Sequence, residues 1–462
     1  MYRYQVENLA EWIGGKNRKP LVIRGARQVG KSTLVELFAR QAGLPLRTVN
    51  LERHPELAPV LSGKNPQEII QELEFLPGMG TINRETLLFF DEIQAVPEAL
   101  PALRYFYEDM PDLPVICAGS LLEFALADHT FSMPVGRIRY LHMGPMTFTE
   151  FLLALGEKRL REIIVRHEPG REISSLAHER LLKLLRTYFF VGGMPEAVAT
   201  FADTRSFREV GAVHRSIIDT YRDDFPKYAG SRKLTRLLTV FNFAARNVGR
   251  KVKYANISSQ DQSATLKRDI QLLAMARVIN KVVHSHCSGL PLQAGQKETV
   301  YKLLFLDIGL MNTICGLDRR SLGNIDDRRL VNEGALAEQF IGRHLQELLA
   351  DQANRELNYW LREGRSANAE LDFVLALAGE IIPVEVKSGT TGTLKSLHQF
   401  MGEKDSPLAV RFDLGQPSRQ QVETVITRKN KRVTVRYPLL SLPLYLVERL
   451  EDIVRQSLAG NG

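Results

Sequence analysis

Through its first 155 residues the chain alternates short apolar runs with longer amphipathic stretches. Leu21 to Ile23, Arg47 to Leu51, Leu87 to Phe90, Val115 to Ala118 and Tyr140 to Met143 read as strands, with helix-like sequence between them. Strands alternating with helices predict a parallel sheet covered on both faces. Leu87 to Phe90 is apolar at every position, which predicts a central strand buried on both sides.

From 156 to 330 the period becomes helical. Gly192-Gly193-Met194-Pro195 breaks two helices, Arg236 to Ala245 has one apolar face, and Ser263 to Leu273 forms a further helix near a Ser or Thr cap. Two strand-like runs follow, Val278 to Val283 and Val300 to Phe305. Helices followed by a β-ribbon predict a winged helix. From 331 onward the order is a helix (Ala335 to Leu349), strands at 357–360, 370–375 and 381–387, a helix at 394–401, and a strand at 408–412. The fold class expected is therefore α/β in three domains: 1–155, a helical and winged-helix middle at 156–330, and an α/β domain at 331–462.

Charge changes the picture of the middle segment. The whole chain of 462 residues carries a formal +8, but Gly230 to Lys302 alone holds 13 Lys and Arg against 3 Asp and Glu. So concentrated a basic region points to a polyanionic partner, most simply DNA, with Arg250, Lys251, Lys253, Lys267 and Arg268 as candidate phosphate contacts. Three scattered cysteines exclude a disulfide framework and fit a reducing cytoplasm. Arg3, Glu7 and Glu11 interrupt the opening residues, so no secretory leader is expected, and no uncharged apolar run is long enough for a membrane span.

The strongest chemical signal is Gly25-Ala26-Arg27-Gln28-Val29-Gly30-Lys31-Ser32, which fits G-x-x-x-x-G-K-[ST] between a predicted strand and a helix starting near Thr33. Such a loop aims backbone N–H groups at a phosphate. Lys31 neutralises the β/γ-phosphates and Ser32 ligates Mg²⁺. Asp91 and Glu92 follow the apolar strand. Asp91 is placed to hold Mg²⁺ through water or Ser32, and Glu92 to polarise the attacking water. Ser120 ends another strand and is a candidate γ-phosphate or water contact. Arg137 and Arg139 precede the last strand, where an arginine could serve a neighbouring subunit as a finger. ATP and Mg²⁺ are thus the expected ligands.

These pieces resemble a large group of prokaryotic ATP-binding proteins with an AAA+-type ATPase domain and a C-terminal domain of unknown function. Further matching segments are Phe90-Asp91-Glu92-Ile93-Gln94, Pro134-Val135-Gly136-Arg137, Pro145 to Phe151, Gly192 to Glu196, Phe305 to Leu310 and Pro383 to Gly389, so the resemblance runs nearly the length of the chain. It implies ATP binding and a nuclease-like C-terminal fold, without a known substrate.

The C-terminal acids read on their own terms. In a strand, Glu385 and Lys387 share a face, as do Glu370 and Asp372, while Glu338 comes from the preceding helix. The set resembles the PD-(D/E)XK nuclease fold, in which Glu338, Asp372 and Glu385 would hold Mg²⁺ or Mn²⁺ and Lys387 would orient water. Glu385-x-Lys387 alone is weak evidence, and such folds also persist as binding modules. His284-Ser285-His286-Cys287 has no complementary ligand pair at finger spacing and is expected to be a turn.

Two readings stand. One is an ATPase acting on DNA, with a metal-dependent nuclease domain. The other is a nucleotide-controlled switch or scaffold with a degenerate nuclease-like domain. A ring-forming motor for DNA junctions is a variant of the first that needs an oligomer and an arginine finger.

Overall fold

The structure is a computed structural model that describes residues 1–120, 134, 136–229, 234–317, 333–349, 356–362, 369–389, 393–428 and 431–459. It divides into two compact units. The first holds Met1–Met146 and Met275–Val278; the second holds Thr147–Ala274 and Ile279–Gly462.

The first unit is built on five parallel strands, β1 (Leu21–Arg24), β2 (Leu46–Asn50), β3 (Leu87–Asp91), β4 (Val115–Gly119) and β5 (Arg139–His142), in the order β2-β3-β4-β1-β5. Leu87, Leu88, Phe89 and Phe90 are all buried, as a strand apolar at every position demands. The helices Gln5–Ile13, Lys31–Ala42, Pro66–Glu74 and Ala99–Asp109 accompany this sheet, and Phe106 of the last packs on Phe90 with ring centroids 6.2 Å apart. Asn65 caps its helix by accepting hydrogen bonds from the Gln67 and Glu68 N–H groups. Cys117, at the middle of β4, is fully buried.

The second unit is a set of helices joined to an eight-stranded mixed sheet. Its strands are β6 (Ile279–Ser285), β7 (Gln296–Phe305), β8 (Leu357–Leu361), β9 (Glu370–Leu377), β10 (Glu380–Val386), β11 (Ala409–Asp413), β12 (Ser418–Arg428) and β13 (Lys431–Pro443), in the order β12-β13-β11-β10-β9-β8-β6-β7. The ribbon expected to be the wing of a winged helix is therefore the β6–β7 hairpin of this sheet. Its inner strand pairs in parallel with β8, Val282 opposite Leu357, because both strands bury apolar side chains on the sheet. The expected boundary at 330/331 lies outside the described residues. The β12–β13 hairpin was not expected from the sequence pattern. Its eleven pairs run from Ser418 opposite Ser441 to Arg428 opposite Lys431, and most of β12 is exposed.

The segments around Gly193 and Asp307 meet as a structural knot. Asp307 caps the helix Ile308–Ile314 by accepting from the Leu310 N–H at 2.9 Å, and it accepts from the Gly193 N–H at 2.6 Å. His214 bridges Thr313 and the Val191 carbonyl, each at 3.0 Å. The capping box at Thr147 and Glu150 starts the helix Phe148–Ala154.

Candidate functional site

In the first unit the phosphate loop joins β1 to the helix Lys31–Ala42. Gly30 adopts φ +90° at its start, and a Cβ on Gly25 would sit 2.2 Å from the Met143 carbonyl oxygen, so the loop needs glycine at both places. No side chain caps the helix, which leaves its first turn oriented for an anion. The Lys31 ammonium is folded back on the loop, donating to the Gly25 and Ala26 carbonyls at 3.2 and 2.8 Å. Gln28 lies at the exposed tip with φ +60°, Ala26 and Val29 are buried, Arg27 is half-buried and Thr33 faces solvent.

Ser32 Oγ donates to Asp91 Oδ2 at 2.8 Å, and Asp91 Oδ1 accepts from the Glu92 N–H at 3.1 Å. Burial raises the Asp91 pKa, and the Ser32 hydrogen bond opposes the rise. Glu92 has φ +51°, a left-handed conformation rare for glutamate, which turns its carboxylate to accept from Gln94 Nε2. Ser120 follows β4 with a buried hydroxyl for which the described residues supply no hydrogen-bond partner. A hydroxyl and a carboxylate are hard oxygen donors that fit Mg²⁺.

Sequence reasoning missed two supports. Arg3 is buried and donates to the Val29 carbonyl at 2.9 Å and to Gly144 at 2.7 Å, pinning the loop from the chain start. Gln94 lies against Gly119, where a Cβ would meet its Oε1 at 2.5 Å. Neither residue carries a local motif; only the fold brings them in. Arg137 and Arg139 lie at the start of β5, the end of the sheet opposite the phosphate loop. Arg137 is about half exposed and pairs with Glu108 at 3.0 Å. That placement keeps it from its own chain's phosphate loop.

In the second unit the acids gather, but around a lysine. Lys302 on β7 is 1% exposed, and its Nζ lies 2.6 Å from Glu370, 3.1 Å from Glu338 and 3.8 Å from Asp372. Asp372 Oδ2 accepts from the Val386 N–H at 2.8 Å, and Glu385 pairs with Lys387. Burial, with Asp372 adding to it and Lys387 opposing, pushes Glu385 up to about 7. Burial pushes Glu338 up to about 8 against the pull of Lys302. Burial would lower the pKa of Lys302, but the three carboxylates outweigh it and raise it. Among the described residues no group of three or more His, Cys, Asp or Glu is gathered to hold a metal ion. Of the expected metal set, Glu338 and Asp372 face Lys302 and Glu385 faces Lys387. Lys302 gave no signal beyond its charge because its importance depends on a partner strand.

The basic candidates lie on the surface of this unit. Arg250, Lys251 and Lys253 are exposed beside β7, where the Val252 N–H donates to Tyr301 at 2.9 Å. Lys267 and Arg268 are exposed on the helix Ser263–Met275, whose other face buries Leu266, Ile270 and Leu273. Tyr301 links the two groups: its hydroxyl meets that of Tyr254 at 3.0 Å, and Lys281, which feels the charge of Lys267, lies 4.9 Å from its ring.

Residues 17–152 match the family described as AAA domain. Residues 182–321 and 333–444 match two domains of unknown function, DUF8612 and DUF4143. The family match and the five-stranded parallel sheet make the first unit an AAA+-type P-loop fold. No curated protein matches the chain. Among solved structures it is similar to Aeropyrum pernix ORC2 in its ADPNP–ADP complexes, at 13% identity and a TM-score of 0.35, over 70% of this chain and 96% of that one. It is also similar to the Thermotoga maritima RuvB Holliday junction branch migration motor, at 14% identity and 0.27, over 61% and 90%. A third is the Aeropyrum pernix ORC1 protein in complex with DNA, at 15% and 0.27, over 68% and 93%. These scores are too low to carry over architecture or function. No helix among the described residues is long and apolar enough to cross a membrane.

Proposed function

We propose that the chain hydrolyses ATP in its first unit and acts on DNA through its second. The observation that carries the first half is the Ser32–Asp91 hydrogen bond, which ties the phosphate-loop helix to the end of β3. The loop N–H groups and Lys31 bind and orient the β- and γ-phosphates. Ser32, with Asp91 behind it, would hold Mg²⁺, which when bound neutralises charge developing on the phosphates. Glu92 accepts the proton of the attacking water, oriented by Gln94, and Ser120 adds a hydroxyl beside them.

The exposed cluster of Arg250, Lys251, Lys253, Lys267 and Arg268 supports DNA as the polyanion. The second reading, a nucleotide-controlled scaffold with a degenerate nuclease-like domain, is favoured by one observation: Lys302 at the centre of the acid cluster. ATP turnover and duplex binding measured on the wild type, Lys31→Ala and Glu92→Gln test the proposal. Lys31→Ala should lose nucleotide binding. Glu92→Gln should keep it while turnover falls about 10²-fold or more. Turnover unaffected by either change sinks the ATPase reading, and DNA binding insensitive to salt sinks the nucleic-acid reading.

A further inference from the structure

We infer that the cation of the acid cluster is Lys302 itself: its ammonium takes the place a divalent metal would hold, and the second unit keeps this site metal-free. Lys302 comes from β7, and Glu370 and Asp372 from β9, with β6 and β8 between. Its side chain reaches over the Tyr359 ring, with Nζ 5.0 Å from the centroid, to meet carboxylates from β9 and from the helix Glu333–Leu348. An aromatic face suits an ammonium but offers a divalent metal no oxygen ligand.

One oxygen of each carboxylate in the cluster already faces a lysine ammonium. Asp372 turns one oxygen to Lys302 and the other to the Val386 N–H; Glu385 Oε1 takes Lys387. Glu338 gives Oε1 to Lys302, while its Oε2 is walled by backbone: a Cβ on Gly249 would lie 2.2 Å away. That wall leaves no space on its side for the waters Mg²⁺ keeps when it binds. Glu385 Oε2 is buried without a partner among the described residues. The cluster is thereby suited to holding strands and helix together, not to hydrolysing a phosphodiester through a bound metal.

The test uses the full-length protein without nucleotide, so it holds whether or not the first unit turns over ATP. Binding of Mn²⁺ is followed by the loss of the free-ion electron paramagnetic resonance signal for wild type, Asp372→Asn, Lys302→Met and Lys302→Met/Asp372→Asn. Folding of each is checked by circular dichroism. At millimolar Mn²⁺ wild type and Asp372→Asn should bind alike, whereas Lys302→Met should gain one site that Asp372→Asn removes. An Asp372-dependent Mn²⁺ site in the wild type overturns the inference, and this arm needs no lysine variant to fold. A folded Lys302→Met that gains no site overturns it equally.

Discussion

Ser32 and Asp91 are joined by a 2.8 Å hydrogen bond across 59 residues of sequence. In the proposed site, Mg²⁺ held by Ser32 would depend on a carboxylate that acts through another residue. Asp91→Asn preserves an acceptor for Ser32 but removes the charge. Mg²⁺ affinity measured in the presence of ATP should fall about 10- to 100-fold, with nucleotide binding in the absence of metal retained.

Lys302 is a buried cation among acids, so deleting it strands them. Lys302→Met should destabilise the second unit by about 3–5 kcal/mol, and adding Glu338→Gln should recover part of the loss. Denaturant unfolding followed by Trp360 fluorescence in a Trp12→Phe background reads this unit separately, because Trp12 belongs to the first unit and Trp360 to the second.

His344 gives the second unit an acid limit. Its Nδ1–H donates to the Phe340 carbonyl at 2.8 Å, so its Nε2 must accept from the Phe148 N–H at 2.9 Å; Glu448 is the nearest acid, at 3.9 Å. Burial lowers its pKa from 6.5 to about 4, the Phe340 bond opposing and Arg343 assisting. Above pH 6.5 the ring is neutral in both states. Between 6.5 and about 4 the unfolded chain takes up a proton that the folded one refuses, so this stability is lost as pH falls. Unfolding midpoints across that window should drop more steeply for the wild type than for His344→Phe.

Lys251 and Lys253 are exposed beside β7. Neutralising both should weaken duplex binding similarly for unrelated sequences. The log–log salt slope should shrink by about 0.9 for each DNA phosphate that the protein no longer neutralises, measured by fluorescence anisotropy.

Arg137 pairs with Glu108 on the surface at the end of the sheet away from the phosphate loop. Arg137→Ala should change stability by less than about 1 kcal/mol and leave turnover near the wild-type rate. Abolished turnover with intact nucleotide binding would instead place the arginine at a neighbour's site.

The parts of the fold legible in sequence were those set by local pattern. The all-apolar run at Leu87–Phe90 and the loop at Gly25–Ser32 each specify their surroundings within a few residues, and all five strands of the first sheet lie where the period places them. The acids of the second unit were likewise visible through alternation on β9 and β10. Lys302 was not, because β7 joins that sheet through β6 and β8, a pairing between Val282 and Leu357 that no local period encodes. The β12–β13 hairpin escaped for a different reason. Its outer strand β12 is mostly solvent-exposed and buries Ile426 alone, where that residue and Val435 of β13 close over Gly402. Arg3 shows the limit most simply: a lone arginine near the chain start becomes a clamp only when the loop it holds is folded.

Cys117 sits fully buried in β4, and Cys287 is 2% exposed in the second unit. Burial raises the pKa of both thiols, so neither offers a reactive thiolate while its surroundings stay closed. Each unit thus carries its own chemical clock. The rate at which a thiol reagent reaches Cys117 reports the opening of the nucleotide fold, and the rate at Cys287 reports the opening of the mixed sheet. A labelling time course resolved at Cys117 and Cys287, apart from the partly exposed Cys315, can therefore tell which half of the molecule loosens first.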